Sequence, residues 1–357
     1  MISVFFTLIG AGGATIFKIK LGDGGTSSKK KEVNSSPPTV PTQKPPEVTP
    51  KPESPPPIKT NIPALTEDSF SFKTVRVNER GEVIKRESKA TSMWIEDLVE
   101  GIKLEMVYIP AGTFIMGSPG DEKGRQRNEE PRREVTIQPF LMGRYTVTQA
   151  QWRYVSTLPR VQIDLASDPS YFKGDLRPVE RISWYEAREF CARLSKATNR
   201  EYRLPSESEW EYACRAGTTT PFYFGETITT ELANYYDGSV VYGREPKGIY
   251  REKTTEVGTF PPNAYGLFDM HGNIWEWCAD HFHENYRRAL GNESAWLSSD
   301  ENARRVVRGG SWFNFPQYCR SANRTPLPPD NRGVSDERDS SNVGFRIVCV
   351  PKEIIFP

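Results

Sequence analysis

Three short segments share one helix-start pattern, and this pattern limits the possible fold more than any other feature of the chain. In each segment a hydroxyl residue is followed three positions later by glutamine or glutamate. The pairs are Thr148 and Gln151, Ser183 and Glu186, and Ser206 and Glu209. Such a capping box predicts a helix, because the two side chains satisfy backbone N–H groups that the first turn leaves unpaired. Gly217 is expected to follow the end of the third helix.

The remainder of the globular part has the pattern of short strands and loops. Apolar residues over 70–84, interrupted by a turn at 78–81, predict a β-hairpin. Further strands are expected over 104–110 and 113–117, and a closing strand over 343–348. Two to three short helices among many strands and loops indicate an α+β fold that is irregular and rich in loops.

Residues 1–20 are predicted to form a hydrophobic N-terminal membrane anchor. Residues 2–17 are apolar and uncharged, which is at the short end of the ~17–25 residues of a membrane span. Lys18 and Lys20 follow this core, and no Lys or Arg precedes it. The positive-inside rule then places the globular domain in the cytoplasm. A chain truncated within a longer N-terminal part would show the same pattern.

Residues 21–66 are predicted to be a disordered, Pro-rich linker. This segment contains Pro-Pro and Pro-Pro-Pro runs and almost no apolar residues. Such a composition favours polyproline II and cannot form a core, so a semi-rigid tether is expected. A docking site for Pro-binding modules is an alternative. The globular domain is then expected over 67–357.

Charge and cysteine spacing narrow the possible functions. A formal net charge of +1 gives no global basic field for nucleic acid or for an anionic membrane surface. None of the five cysteines lies in a C-x-x-C pair, which argues against a zinc knuckle. Buried, reduced thiols are expected instead. Only three histidines are present, and His281 and His283 are expected at the surface.

Residues 308–324 change from a strand pattern to an aromatic, Pro-broken one. The glycine pair at 309–310 lets the backbone pack closely or adopt a positive φ. Phe313, Phe315 and Tyr318 then stand among Asn, Gln and Ser, a composition typical of adaptable binding surfaces. A loop whose aromatic side chains fold back onto the domain fits the same composition.

Five motifs stand in order within residues 100–350. They are Ile109–Ser118, Arg203–Ala213, Gly272–Trp277, Arg308–Trp312 and Gly344–Arg346. Their sequences and order resemble those of the formylglycine-generating enzyme (sulfatase-modifying factor) family. The resemblance implies the family's C-type-lectin-like, irregular α+β fold. It does not fix the activity, because one fold hosts several functions.

The resemblance also implies where a copper site would lie. The family's oxidases bind copper through two cysteines after the Gly-Gly-Ser motif and oxidise a substrate cysteine to formylglycine. Thiolate pairs suit Cu(I). In this chain the second position falls on Cys319 and the first on Asn314, so an oxidase would need Cys278 or Cys349 as its second soft ligand. A related branch, the iron-dependent sulfoxide synthases, uses a three-histidine motif that this chain does not reproduce.

Four runs carry a second resemblance: Arg308–Trp312, Cys319–Arg324, Pro329–Arg332 and Asn342–Arg346. They resemble the variable region of diversity-generating retroelement target proteins, which are C-type-lectin-fold proteins. In those proteins surface residues are replaced massively on a fixed scaffold. The resemblance implies a ligand-binding surface made of Trp312, Phe313, Asn314, Phe315, Gln317, Tyr318, Ser321, Asn323, Thr325, Leu327, Gly333, Val334 and Ser335. The side chains of such a surface are expected to face solvent.

Structural calcium is a further implication of the family resemblance. The first site would use the Asp269 and Glu276 carboxylates with the Gly272 and Ile274 carbonyl groups, which are hard oxygen ligands suited to Ca²⁺. A second site would use Asn234 and the Tyr235 carbonyl group. A metal-free turn, in which Glu276 accepts hydrogen bonds from backbone N–H groups, is the alternative.

Three functions follow from these observations. The first is a non-catalytic protein that binds a protein or another macromolecular ligand through the surface at 313–335. The second is a copper-dependent formylglycine-generating oxidase with an altered metal site. The third is an interaction module of a membrane assembly, in which the N-terminal tether matters more than the aromatic surface.

Overall fold

The computed structural model describes residues 66–237, 241–333 and 341–350. The expected anchor over 1–20 lies outside the described residues, as does the expected linker up to residue 65. Val334 and Ser335 of the expected binding surface also lie outside them. Across these three ranges no helix has the length and apolar character needed to cross a membrane.

The described residues form twelve strands, three α-helices and two 3₁₀ helices, at 127–129 and 316–319. The strands are β1 (Thr66–Val77), β2 (Val83–Val99), β3 (Ile102–Ile109), β4 (Gly112–Met116), β5 (Arg133–Ile137), β6 (Phe140–Gly143), β7 (Tyr202–Arg203), β8 (Trp275–His281), β9 (Arg305–Arg308), β10 (Arg324–Leu327), β11 (Val343–Gly344) and β12 (Val348–Cys349). The helices are α1 (Gln149–Ser156), α2 (Trp184–Thr198) and α3 (Glu207–Arg215).

Strand pairing produces three sheets. A six-stranded sheet has the order β1-β2-β3-β6-β12-β7, and a four-stranded sheet has the order β10-β9-β8-β11. The third sheet contains β4 and β5. Pairing is antiparallel except between β8 and β11, which run parallel. The irregular α+β architecture predicted from the sequence is confirmed, and long connections separate the short strands that follow α1.

The first strands follow the sequence pattern closely. β1 and β2 form the predicted antiparallel hairpin around the turn at 78–81, where the Gly81 N–H donates to the Asn78 carbonyl oxygen at 3.0 Å. β3 and β4 confirm the strands predicted over 104–110 and 113–117. These segments lie near the start of the domain, where each strand pairs with a neighbour in sequence or with β6.

The single closing strand predicted over 343–348 is wrong. The chain instead forms β11 in the four-stranded sheet and then β12 in the six-stranded sheet. Arg346 lies between them, and its guanidinium donates to the carbonyl oxygens of Gly143 at 2.7 Å and Phe268 at 2.8 Å. A buried charge that must reach these acceptors breaks the alternation, so an apolar period of two did not indicate one continuous strand.

All three capping boxes are confirmed. The hydroxyl oxygens of Thr148, Ser183 and Ser206 accept from the backbone N–H three residues later, and each acceptor side chain bonds back to the cap N–H. Gly217, with φ of +87°, follows the left-handed Ala216 at the end of α3. All three helices therefore begin, and the third one ends, where local hydrogen-bonding chemistry predicted.

The two faces of the six-stranded sheet bury two separate hydrophobic clusters. Met106, Leu141 and Cys349 face a cluster that includes residues of α1 and α2. Their sequence neighbours Val107, Met142 and Val348 face a cluster that includes residues of α3. Successive strand residues point to opposite faces, so this sheet separates the helices into two layers. All five cysteines are buried and none forms a disulfide, as expected.

Gly344 is a position where the fold leaves no room for a side chain. A Cβ there would collide with the Val179 carbonyl oxygen and the Ile274 side chain, whereas one at Gly291 would meet no atom within 4 Å. We expect Gly344→Ala to lower the free energy of unfolding by about 2–3 kcal/mol, measured by urea denaturation. Gly291→Ala is the control and should stay within about 0.5 kcal/mol of wild type; equal effects would contradict the contact.

Candidate functional site

Buried arginine–carboxylate pairs hold the segment 308–324 in place. Arg308, Arg320 and Arg324 are fully buried. Arg324 donates to both carboxylate oxygens of Glu207, at 2.7 and 2.6 Å. Arg320 does the same with Glu129, at 2.9 and 2.6 Å. These bidentate pairs fix both the position and the orientation of the chain that carries them.

Arg308 completes this network at the start of the segment. It pairs with Glu211 of α3, and its Nε lies 3.4 Å from Glu207 Oε1. Burial alone would raise the pKa of Glu211, but Arg215 and Arg308 outweigh it and hold that pKa below its ordinary value. The network is therefore charged, and α3 is the element that positions the segment.

The glycine pair adopts the positive φ that the sequence analysis allowed for it. Gly309 and Gly310 have φ of +94° and +74°, which favours glycine. A Cβ on Gly310 would collide with the Cys319 sulfur. The Ser311 hydroxyl group then donates to Asn314 Oδ1 at 2.5 Å, and the Asn314 N–H donates to the Ser311 carbonyl oxygen at 3.0 Å. The result is a tight turn that presents the next residues.

Part of the expected ligand-binding surface faces solvent. Phe313 is 38% exposed. The partly exposed members are Asn314, Phe315, Gln317, Tyr318, Thr325, Leu327 and Gly333. Because these side chains reach solvent, these residues remain a candidate surface.

The expectation of solvent-facing side chains is wrong for Trp312, Ser321 and Asn323, which are fully buried. The Trp312 indole N–H donates to the Ser341 carbonyl oxygen at 2.8 Å. Ser321 and Asn323 lie in the short stretch bounded by Arg320 and Arg324, whose ion pairs pull that stretch into the interior. A sequence pattern alone could not show which way these side chains point.

An aromatic patch surrounds the exposed turn. We define it as Phe172, Tyr236, Tyr250, Phe313 and Phe315, none of which is fully buried. Phe315 meets Tyr236 edge-on with ring centroids 5.0 Å apart, and Tyr236 meets Tyr250 at 4.6 Å. Trp312 lies beneath and contacts the rings of Phe172, Tyr250 and Phe313. Sequence reasoning missed Phe172, Tyr236 and Tyr250, for which the Tyr-rich composition around 235 was the available signal.

Cys319 is poorly placed for copper chemistry. Its side chain is fully buried, and its sulfur lies 4.0 Å from the Phe315 carbonyl oxygen. Burial raises the thiol pKa well above its ordinary value, more than the Ser311 backbone hydrogen bond lowers it. The thiolate is the form that binds metals. Cys349 faces the hydrophobic cluster on the opposite side of the six-stranded sheet from Cys319.

The three histidines serve separate structural roles. His271 accepts from the Tyr223 N–H at 3.0 Å and contacts the Cys319 carbonyl oxygen at 2.7 Å; burial lowers its pKa to about 3. The surface prediction for His281 is wrong, because this residue is only 3% exposed beside Arg305. His283 is partly exposed and stacks on Trp296 at 3.7 Å. Within the part of the chain that the structure describes, no three His, Cys, Asp or Glu residues converge as a metal site.

The residues expected to bind calcium fit a cation only in part. Asp269 Oδ2 accepts from the Gly258 N–H at 2.8 Å, while Oδ1 is buried without a hydrogen-bond partner. Glu276 is already satisfied, since its two oxygens accept from Arg346 at 3.0 and 3.1 Å and one also accepts from Trp210 at 2.8 Å. Asp269 therefore fits a cation, and the Glu276 carboxylate does not in this arrangement.

The main-chain positions and the second expected site complete this comparison. The Gly272 N–H donates to the Gly309 carbonyl oxygen at 2.8 Å. Ile274, two residues further along the chain, is buried. Asn234 Oδ1 is buried without a hydrogen-bond partner. Tyr235 is buried, and its hydroxyl group donates to the Ile228 carbonyl oxygen at 3.2 Å. Asn234 thus offers a second oxygen that fits a cation.

Comparison with known proteins places these observations in context. Residues 99–350 match the sulfatase-modifying factor enzyme 1-like domain. The mouse formylglycine-generating enzyme is 29% identical over 295 residues, covering 68% of this chain and 74% of that protein. The bovine inactive C-alpha-formylglycine-generating enzyme 2 is also 29% identical, over 304 residues, covering 72% and 92%. Identity to these relatives therefore does not separate an active protein from an inactive one.

Two solved structures share the fold. PvdO from Pseudomonas aeruginosa is 35% identical, with a TM-score of 0.58, covering 69% of this chain and 94% of that one. Treponema denticola variable protein 1 is 26% identical, with a TM-score of 0.55, covering 70% and 96%. Both resemblances anticipated from the sequence motifs thus find a structural counterpart.

Glu180 supports the edge of the aromatic patch and gives a pH-dependent prediction. Its Oε1 accepts from the N–H groups of Tyr171 and Phe172 at 2.7 and 2.9 Å, while its Oε2 is buried without a hydrogen-bond partner. Burial raises the pKa of Glu180 from 4.5 to about 7. Because the pKa of Glu180 is higher in the folded than in the unfolded state, protonation favours the folded state. The free energy of unfolding therefore falls as the pH rises from 4.5 to about 7.

Glu180→Gln keeps the accepting oxygen and removes the titration. Relative to this variant, we expect the free energy of unfolding of wild type to fall by about 2–3 kcal/mol between pH 5 and pH 8. Urea denaturation at the two pH values measures the difference. Glu256→Gln, at an exposed carboxylate, should track wild type at both; a Glu180→Gln curve parallel to wild type would contradict the prediction.

Proposed function

The chain belongs to the sulfatase-modifying factor enzyme 1-like domain family, and we propose that it is a non-catalytic member. Its aromatic patch binds a macromolecular ligand, namely the surface of another protein. The observation that carries this proposal is the division of residues 312–324 between a buried, ion-paired framework and an exposed aromatic turn. Aromatic side chains with few rotatable bonds provide large contact areas at low entropic cost. Trp312 supports them from below, so their positions are set before a ligand arrives.

The altered copper position supports binding over oxidation. Asn314 stands where the oxidases have their first cysteine, and its side chain already accepts from the Ser311 hydroxyl group. Cys319 remains, but it is enclosed by Gly310 and held as a thiol. A bis-thiolate site would require both a second sulfur and the opening of this enclosure. The bovine relative, which is named as inactive, is a precedent for a family member that lacks the oxidase activity.

The resemblance to a variable protein supports the same surface. Treponema denticola variable protein 1 shares the fold. The exposed residues from Phe313 to Leu327 can change without altering Arg320 or Arg324, whose side chains carry the structural contacts. A surface that tolerates substitution on a fixed framework suits recognition of protein partners. We extend this to a tethered protein, in which residues 1–20 would anchor the chain in a membrane and residues 21–66 would link this anchor to a globular domain in the cytoplasm.

A two-arm experiment on the full-length chain tests the proposed function. In the first arm, binders are selected from a displayed peptide library. We expect Phe313→Ala together with Phe315→Ala to weaken the selected binders by tenfold or more, as loss of central aromatic contacts does. Ile115→Ala removes another exposed side chain outside the patch and should leave binding unchanged. Binders insensitive to the patch variants would contradict the assignment of the surface.

The second arm measures Cu(I) binding and formylglycine formation in a Cys-x-Pro-x-Arg peptide. We expect neither stoichiometric copper binding nor turnover, in wild type or in Cys319→Ala. Turnover by wild type that is lost in Cys319→Ala would replace the binding proposal with an oxidase. Retention of native melting behaviour by Cys319→Ala is the control for this comparison.

Calcium is a separate proposal for the turns at 234 and 269. At the turn at 269, the ion would bind the buried, unpartnered Oδ1 of Asp269, and binding would neutralise this carboxylate, whose pKa burial raises to about 6. The unpartnered Oδ1 of Asn234 would belong to the second expected site. We expect millimolar Ca²⁺ to raise the melting temperature above that in a chelator by about 5 °C. Asp269→Ala should abolish the increase; an increase of the same size in this variant, or none in wild type, would contradict the proposal.

A further inference from the structure

The structure contains a cavity that shares no lining residue with the aromatic patch. Its volume is about 540 Å³, within the ~300–1,000 Å³ range of small-molecule sites. Its walls come from the start of α2, the end of β8, the start of β9 and the loop at 295–301. The residues that matter for its chemistry are Trp184, Tyr185, Arg188, Leu297, Glu301 and Arg305.

Arg305 is buried in this cavity without a carboxylate partner. It is 4% exposed. Its Nη1 donates to the Ala279 carbonyl oxygen at 3.0 Å and lies 3.2 Å from His281 Nδ1, while its Nε is buried with no hydrogen-bond partner. Among residues 66–237, 241–333 and 341–350, every other buried arginine forms an ion pair within 4 Å. Arg305 is therefore the exception in a protein that otherwise neutralises its buried guanidinium groups.

A second arginine adds positive charge to the same cavity. The Arg305 and Arg188 guanidinium carbons lie 3.6 and 4.8 Å from the centre of the Trp184 ring, so cation–π contacts position both groups. Burial and the neighbouring Arg188 lower the pKa of Arg305 to about 10. The exposed Glu301 also lines the cavity, but it is beyond ion-pairing distance of either arginine in the described structure. The charge balance at the cavity floor is thus positive.

The remaining wall is apolar. Leu297 is 62% exposed and Tyr185 is 37% exposed, and Leu204, Ala192 and Ala279 also line the cavity. Exposed leucine and tyrosine side chains next to a positive floor suit a molecule with an apolar body and an anionic end. An inorganic anion would leave this wall unused, and a neutral apolar molecule would leave the Arg305 guanidinium without an anionic partner.

We propose that this cavity binds a small organic anion, a carboxylate or sulfonate carried on an aromatic body. The anionic group accepts hydrogen bonds from Arg305 and Arg188, and the aromatic body packs against Leu297 and Tyr185. The Arg305 guanidinium then gains the anionic partner that no carboxylate provides within ion-pairing distance in the described structure. This site is independent of the aromatic patch, so the cavity could respond to a small molecule while the patch holds a macromolecular ligand.

Fluorescence titration of the full-length chain tests this site with anilinonaphthalene sulfonate as the probe. Phenylnaphthylamine, which has the same aromatic body without the sulfonate, is the matched neutral probe. We expect the sulfonate to bind at least about tenfold more tightly than the neutral probe, because one hydrogen bond to a charged group contributes at least about that factor in affinity. Equal affinities would overturn the proposal, because the arginines would then contribute nothing.

Surface variants locate the binding without disturbing the core. Arg188→Ala removes an exposed side chain and should weaken the sulfonate about tenfold while leaving the neutral probe unchanged. Lys196→Ala, an exposed cation later on α2 that does not line the cavity, should change neither affinity. Leu297→Asp adds a negative charge at the opening and should weaken the sulfonate further than Leu297→Asn does.

Two outcomes would overturn this assignment. If Phe313→Ala reduces sulfonate binding and Arg188→Ala does not, the probe binds at the aromatic patch. If Leu297→Asp and Leu297→Asn weaken the sulfonate equally, the recognition is apolar and not electrostatic. Because these positions are exposed, their melting temperatures provide the control that each variant is folded, and the buried Arg305 need not be replaced.

Discussion

Buried pairs of arginine and glutamate are the interaction on which the rest of this structure depends. Short strands and long connections bury many backbone groups that no regular element can satisfy. Arg346 meets this need at one point, since its guanidinium bonds three carbonyl oxygens as well as Glu276. Breaking such a pair by removing one partner costs about 3–5 kcal/mol, whereas its net contribution to stability is small. We infer that these pairs define a unique path for the chain.

This framework explains which parts of the fold the sequence could predict. Helix starts depend on side chains within three residues of each other, and all three were predictable from Thr148, Ser183 and Ser206. The hairpin at 78–81 was likewise local. The break between β11 and β12 was not, because it depends on Arg346 reaching carbonyl oxygens some 200 positions earlier in the chain. Contacts of that kind leave no periodic trace in the sequence.

In the candidate site, too, the features set by local contacts could be predicted and those set by long-range contacts could not. The positive φ of the glycine pair and the exposure of Phe313 both agree with readings that local composition offered. The burial of Ser321 and Asn323 did not, because their orientation is set by Arg320 and Arg324 pairing with Glu129 and Glu207, on elements far away in sequence. Similarly, Tyr236 and Tyr250 join Phe315 only through folding. A candidate surface assembled from three separate loops can be recognised from one of them, but its extent requires the structure.

The uniform burial of the five cysteines has a practical consequence. Burial raises the pKa of Cys191, Cys214, Cys278 and Cys319, so each thiol is both shielded and protonated at neutral pH. Reagents that attack thiolates can then reach these sulfurs only when the surrounding structure opens. Because the cysteines are distributed over α2, α3, β8, the 3₁₀ helix and β12, the rate at which each is alkylated would report the opening of its own part of the molecule. The native chain thus carries five intrinsic reporters of local unfolding.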